Sequence, residues 1–111
     1  MTTTVTVQDG ATILAVVGEV DLATAPALET AIESTLAGKP GALVIDLSEV
    51  SFLASAGMAA LVAAHQHAGA TRIAVVADGP ATSRQLKITN LDQVFALHPT
   101  LDEALSALNA N

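Results

Sequence analysis

A short apolar segment at residues 42–47 constrains the fold of this chain more than any other feature. It contains the β-branched residues Val44 and Ile45, and only Asp46 interrupts its apolar character. A run of this length is typical of a strand buried on both faces, and such strands occur where helices cover both sides of a parallel sheet. The segment therefore indicates an α/β domain.

The rest of the chain supplies strands that alternate with helices. Asp9-Gly10 predicts a hairpin turn, so the first two strands should form an antiparallel edge, whereas the later strands should pair in parallel. We expect a single α/β domain over residues 1–111, with a mixed, mostly parallel sheet, an antiparallel N-terminal edge and about four helices, and consecutive crossover helices on one face. The predicted strands are 3–9, 12–17, 42–47, 71–77 and 94–97, and the predicted helices run from about 24 to 38, 55 to 69, 81 to 88 and 101 to 108. Thr100, with Glu103 three residues later, predicts a capping box at the start of the last helix.

Charge and composition exclude several classes of function. The chain has 11 acidic and 4 basic side chains, a net charge of −7, no cysteine, no tryptophan and no tyrosine. Nucleic acid requires clustered basic residues, so no nucleic-acid partner is expected. The longest apolar run, residues 58–64, is far shorter than the roughly 20 residues that span a bilayer. We expect a cytoplasmic protein with no membrane partner, no cofactor and no metal.

The segment after the buried strand carries the functional signal. We expect a loop over residues 48–54, with Phe52 and Leu53 as an apolar anchor, and then a helix with Ser55 as its N-cap. A serine that only caps this helix is one interpretation. The other is a phosphorylation switch, in which a phosphate beside Asp21 and Glu49 repels a docked partner while the helix N-terminus accepts the anion.

Two motifs in this sequence resemble the STAS domain of bacterial anti-sigma factor antagonists. Residues 18–21 read Gly-Glu-Val-Asp and residues 46–57 contain the serine followed by Ala-Gly. The resemblance extends over nearly the whole chain and includes the order of its elements. It implies a regulator of the bacterial stress response that binds an anti-sigma factor with serine kinase activity and releases a sigma factor. Phosphorylation by the kinase would end the binding, and a phosphatase would restore it.

The resemblance also implies which residues act. Ser55 is the implied phosphate acceptor, Asp21 is implied to lie near it, and the partner-binding surface is implied to comprise Asp21, Ala54, Ser55, Ala56, Gly57 and Met58. The family usually has Asp immediately before the acceptor, where this chain has Ala54, and often a second hydroxyl after it, where this chain has Ala56. An alternative is therefore a STAS scaffold or accessory protein that binds partners without phosphorylation.

Other chemistry has weaker support in the sequence. A hydrolase nucleophile elbow needs Gly-x-Ser-x-Gly, and residues 53–57 lack the first glycine. His65 and His67 would lie about 200° apart around a helix, so they cannot hold one metal ion. Arg84 and Lys87 form a basic pair that is either a solvated helix face or a rim contact for a partner. We expect no enzyme, and a small hydrolase is the remotest alternative.

Overall fold

The computed structural model describes residues 1–109, so positions 110 and 111 of the expected domain lie outside the described residues. In chain order, the described elements are β1 (Thr2–Gln8), β2 (Ala11–Val20), α1 (Ala25–Ala37), β3 (Ala42–Leu53), α2 (Ser55–Gln66), β4 (Arg72–Val76), α3 (Ser83–Ile88), β5 (Ala96–His98) and α4 (Leu101–Asn109). A short 3₁₀ turn, Leu91–Gln93, precedes β5.

The five strands form one sheet in the order β1-β2-β3-β4-β5. β1 and β2 are antiparallel and are joined at Asp9 and Gly10, whose φ angles of 53° and 80° suit the predicted hairpin turn. The remaining neighbours are parallel. The predicted α/β fold with an antiparallel N-terminal edge is therefore confirmed.

Two apolar layers enclose the sheet. One layer joins α1, α2 and α3 to the sheet, and α4 packs on the opposite face. Because the strand order follows the chain, right-handed crossovers carry the first three helices to the same side. The first layer contains, among others, Leu14, Val20, Leu28, Ile32, Ile45, Leu53, Leu61 and Leu86. The second contains Ile13, Val44, Val76, Ala104 and Leu105.

The central strands are longer than predicted. β3 continues to Leu53, so the expected loop over residues 48–54 is wrong, and β2 continues through Gly18 to Val20 instead of ending at residue 17. The pairing of β2 with β3 shifts register twice, and at each shift β3 contains one extra residue. These irregularities interrupt the period-two alternation of buried and exposed side chains. Residues 48–53 therefore lack the alternation of a strand, and their sequence looks like that of a loop.

Smaller differences lie at the ends of other elements. α2 ends at Gln66 instead of near Gly69, where φ is +60° and the chain is already turning. β5 starts two residues later than predicted, because the chain first makes the 3₁₀ turn. At the start of α4, Thr100 Oγ1 accepts a hydrogen bond from the Glu103 N–H at 3.1 Å, which is the capping bond that the sequence predicts.

Candidate functional site

The ends of β2 and β3 bring the two sequence motifs together. Val20 and Leu53 are register partners, and the Ala54 N–H donates a hydrogen bond of 2.8 Å to the Val20 carbonyl oxygen. The loop that begins with Asp21 therefore lies beside the start of α2. The carboxyl ends of parallel strands share one edge of the sheet, where binding sites of α/β folds commonly lie.

Ser55 is the first residue of α2 and not its N-cap. Ala54 is the N-cap, with an extended backbone at φ −82° and ψ 169°, and the first helical bond runs from the Met58 N–H to the Ala54 carbonyl oxygen at 3.1 Å. The expectation that Ser55 caps the helix is therefore wrong. Because the hydrogen bonding of the strand ends extends to Ala54, the N-cap lies one residue earlier than predicted, whereas the helix starts at Ser55 as expected. The Ser55 side chain is exposed.

The N-terminus of α2 has no side-chain acceptor of its own. Ala54 provides no capping hydrogen bond, and the first turn contains no acidic residue. The first backbone N–H groups of a helix have no partners within it and carry a partial positive charge. Ser55 therefore presents its hydroxyl at a helix end that can accept a negative group.

Gly57 determines how closely α2 approaches the sheet. It is buried, and a Cβ atom at this position would lie 2.6 Å from Val20 Cγ1 and 2.7 Å from Leu53 Cδ1, closer than real carbon atoms approach. Only glycine lets the first turn of α2 rest directly on the ends of β2 and β3. Gly57 was expected to contact a partner, but it is buried. It acts through packing, which positions Ser55.

Asp21 is held in a turn that leads into α1. Its Oδ1 accepts hydrogen bonds from the Thr24 N–H at 3.0 Å and from the Thr24 hydroxyl at 3.1 Å, and its own N–H donates to Thr24 Oγ1 at 2.9 Å. The two bonds that the carboxylate accepts from Thr24, above all the one from the Thr24 backbone N–H, hold the pKa of the Asp21 carboxyl below its ordinary value of 3.8. Asp21 is therefore a fixed negative charge at the same edge as Ser55.

Three exposed apolar side chains lie around this edge, and no sequence pattern marks them as a surface. Leu22 is 81% exposed, Ile88 is 65% exposed, and Phe52 is 50% exposed instead of acting as an anchor beside buried Leu53. Leu22 follows Asp21 in the loop, and Phe52 lies next to the last residue of β3. No periodicity marks Leu22 and Ile88, because Leu22 lies in a loop and Ile88 is the last residue of α3.

The C-terminal end of α3 contacts the start of α2. The Thr89 hydroxyl donates to Met58 Sδ at 3.6 Å, so Ile88 stands near the first turn of α2. Met58 is half-buried and packs against the larger apolar layer. We call Leu22, Phe52, Met58 and Ile88 the apolar rim. Ala54 and Ala56, on either side of Ser55 in the chain, are half-buried.

Glu49 does not belong to this edge. It lies within β3, opposite Val17 in the register and four residues before Leu53. The expectation that Glu49 and Asp21 together surround Ser55 is therefore wrong for Glu49, because the predicted loop is a strand that carries Glu49 away from the helix start. Asp21 is an acidic residue that the fold does place beside the entrance to α2.

The histidines lie away from Ser55. His65 is near the far end of α2, about 15 Å along the helix, and His67 follows α2, where its Nδ1 contacts the Ala63 carbonyl oxygen at 2.8 Å. His98 lies on β5, two strands from β3. Within residues 1–109, no group of three or more His, Asp or Glu side chains could hold a metal ion. None of the helices described is both long and apolar enough to cross a membrane.

The chain is similar to curated and structurally known proteins along nearly its whole length. It is 43% identical over 109 residues to the anti-sigma-F factor antagonist RsfB of Mycobacterium tuberculosis, covering 97% of this chain and 89% of that protein. The crystal structure of an anti-sigma factor antagonist from Mycobacterium paratuberculosis superposes with a TM-score of 0.95 at 50% identity, covering 98% of this chain and 94% of that one.

A more distant solved structure has the same fold. The Bacillus cell fate determinant SpoIIAA in its phosphorylated form matches with a TM-score of 0.67 at 15% identity, over 97% of this chain and all of that one. The family model of the STAS domain matches residues 2–104. The chain belongs to the STAS domain family.

Proposed function

We propose that this chain is an anti-sigma factor antagonist that binds an anti-sigma factor through the edge around Ser55 and loses that binding when Ser55 is phosphorylated. The observation that carries the proposal is the exposed Ser55 at the uncapped start of α2, beside Asp21 and the apolar rim. The names of the relatives from the two Mycobacterium species support the antagonist function. Those relatives are regulatory proteins, which supports a binding role without catalysis.

The apolar rim supplies the affinity in this proposal. Leu22 and Ile88 expose most of their side chains to water, and Phe52 exposes half. Burial of apolar surface against a partner is favourable by about 25 cal/mol per Å². Exposed apolar side chains near one edge of a small domain are typical of an interaction surface.

Phosphorylation would change the surface without changing the fold. An anti-sigma factor with kinase activity would transfer the γ-phosphoryl group of ATP to Ser55 Oγ. The new O–P bond forms as the bond to ADP breaks, and the hydroxyl proton leaves to a base of the kinase. The added charge of about −1.5 to −2 is tolerated by the N-terminal amides of α2. A partner packed on the apolar rim would have to desolvate that charge, and the complex would dissociate.

The cycle in this proposal needs two further proteins. The sigma factor is released when the anti-sigma factor binds the unphosphorylated chain. A phosphatase uses water to cleave the O–P bond, which yields inorganic phosphate and restores the Ser55 hydroxyl. The proposed setting is a cytoplasmic stress response.

Titration calorimetry with the anti-sigma factor from the same organism tests the proposal. We expect Ser55→Glu and the phosphorylated chain to bind at least about tenfold more weakly than the unmodified chain, a change of about 1.4 kcal/mol. Ser106→Glu is the matched control, because Ser106 is an exposed serine on α4, on the opposite face of the sheet. Equal affinity of the unmodified and phosphorylated chains would refute the switch, and no binding by any form would refute the antagonist function.

A scaffold that binds partners without phosphorylation is the second candidate. Ala54, which stands where related domains commonly have an acid before the acceptor, favours it. Incubation of the chain with its anti-sigma factor and ATP, followed by mass spectrometry, separates the two candidates. Phosphate on Ser55 supports the switch, and a stable complex that never acquires phosphate supports the scaffold.

A further inference from the structure

The two edges of the sheet differ in length and in protection. β5, at one edge, has three residues and contacts α4 and the preceding 3₁₀ turn. β1, at the other edge, has seven residues, and every residue except Thr3 is exposed. Its pairing with β2 runs without a register shift from Thr2 to Gln8. β1 therefore has a regular outer edge that no other strand of the described chain covers.

The sequence of β1 lacks the usual protection of an edge strand. Edge strands commonly carry charges, proline or a bulge that prevent pairing with another chain. Residues Thr2–Gln8 contain four threonines, two valines and one glutamine, with no charge and no proline. β-Branched residues favour strands, so this segment is well suited to pairing. Val5 and Val7 project on one face of β1 and are 55% and 73% exposed.

We propose that β1 pairs with β1 of a second copy of this chain, which joins the two five-stranded sheets into one. Identical strands related by a two-fold axis pair in antiparallel fashion, and the interface is closed. A two-fold axis at Val5 places the two Val5 side chains opposite each other and brings Thr3 opposite Val7 of the other copy. Cross-strand pairs of β-branched side chains stabilise such a ladder.

Charge opposes self-association over most of the surface, but β1 itself carries no charge that would oppose it. Each chain has a net charge of −7, so two copies repel each other wherever acidic side chains face one another. β1 offers a seven-residue contact in which no charged side chain stands opposite another. Because β5 has only three residues, each chain has one edge long enough for such pairing, and pairing ends at two copies.

The proposed pairing leaves the surface around Ser55 accessible. Thr2 lies opposite Val17 near the carboxyl end of β2, and Gln8 lies opposite Ala11 at its start. Antiparallel pairing of the β1 strands therefore directs the Ser55 edges of the two copies in opposite directions. Self-association and anti-sigma factor binding are thus separable, and each can be tested without the other.

Analytical ultracentrifugation of the full chain over a range of concentrations tests the pairing. We expect the unmodified chain to reach the mass of two chains, and Thr4→Lys to keep the mass of one chain, because a lysine at the edge opposes pairing. Thr30→Lys is the matched control, since Thr30 is an exposed threonine on α1, and we expect it to associate like the unmodified chain. Hydrogen exchange should show protected outward amides in β1 at concentrations where the pair forms.

Each contrary outcome overturns the proposal. A mass of one chain at millimolar concentration would show that β1 does not pair with itself. Association of Thr4→Lys equal to that of Thr30→Lys would place the interface elsewhere. Protection of β1 that appears only with the anti-sigma factor would assign this edge to an extended segment of that protein. Thr4→Lys should bind the anti-sigma factor like the unmodified chain, so its result is independent of the proposed function.

Discussion

The starts of α2 and α4 show two ways to begin a helix on the same sheet. At α4, the Thr100 hydroxyl accepts the Glu103 N–H, and two acidic residues, Asp102 and Glu103, occupy the first turn. Both features satisfy the positive end of the helix. At α2, the N-cap is Ala54, which provides no side-chain acceptor, and the first turn has no acidic residue. The two helices pack on opposite faces of the sheet.

The two helices differ in the contacts that position them and in whether their N-terminal amides are free to bind an anion. α4 is stabilised at its start by its own side chains, and its positive end is already occupied. α2 is positioned by the close contact of Gly57 with Val20 and Leu53, and its positive end remains open next to Ser55. A helix held by packing can leave its terminus free for an external anion or a covalent phosphate. The following variants test this contrast.

Gly57→Ala should have the largest effect, because the new methyl group would overlap Val20 and Leu53. We expect a loss of about 1–3 kcal/mol in the free energy of unfolding, measured by urea denaturation. Gly41→Ala is the matched control, since a Cβ at Gly41 meets no atom within 4 Å. Equal stabilities of the two variants would show that packing at Gly57 does not position α2.

Thr100→Ala removes the side-chain cap of α4. We expect it to lower the free energy of unfolding by about 1 kcal/mol, because the Glu103 N–H loses its acceptor. Thr100→Ser keeps the hydroxyl and should retain most of the stability in thermal melts. An unchanged melt for Thr100→Ala would mean that α4 also begins without help from a cap.

Ala54→Asp gives α2 the acceptor it lacks. The extended backbone at Ala54 suits an N-cap, and the carboxylate should bind the first amides of the helix. We expect a gain of about 0.5 kcal/mol in the free energy of unfolding, and Ala54→Asn serves as the uncharged control. Lower stability of both variants would show that the positive end of α2 is not open.

Asp21→Asn should change the response of the protein to acid. Because the folded pKa of Asp21 lies below its unfolded value, its contribution to stability is present above the unfolded value and is lost as the pH falls through the folded one. We expect the melting temperature of the variant to fall less between about pH 5 and pH 2 than that of the unmodified chain. Identical pH profiles would show that Thr24 does not stabilise the Asp21 carboxylate.

Ser55→Ala should have the smallest effect on stability. The Ser55 hydroxyl is exposed and is not the cap of α2, so we expect the free energy of unfolding to change by no more than about 0.5 kcal/mol. Thermal melts measured beside Thr100→Ala provide the comparison. A loss of unfolding free energy as large as that of Thr100→Ala would show that Ser55 does cap α2.

Much of the fold was predictable because it depends on local patterns. The Asp9-Gly10 turn, the buried segment at residues 42–47 and the capping threonine before α4 each follow from nearby residues, and all three are confirmed. The C-terminal part of β3 was not predictable. Its bulges are stabilised by pairing with β2, a strand more than 30 positions earlier, and they remove the alternation that marks a strand.

The candidate site likewise has features that were predictable from the sequence and features that were not. The sequence marked the serine before Ala-Gly as a helix-start residue, and the resemblance to a known family singled out the Gly-Glu-Val-Asp stretch, because these are short segments with recognisable spacing. Only the tertiary structure showed that Ser55 does not cap α2, that Gly57 is buried, and that Leu22, Phe52 and Ile88 are exposed at the same edge. Helix starts and side-chain exposure depend on contacts between segments distant in the chain. The amino-acid sequence therefore determined which elements form, and their packing decided which side chains reach the surface.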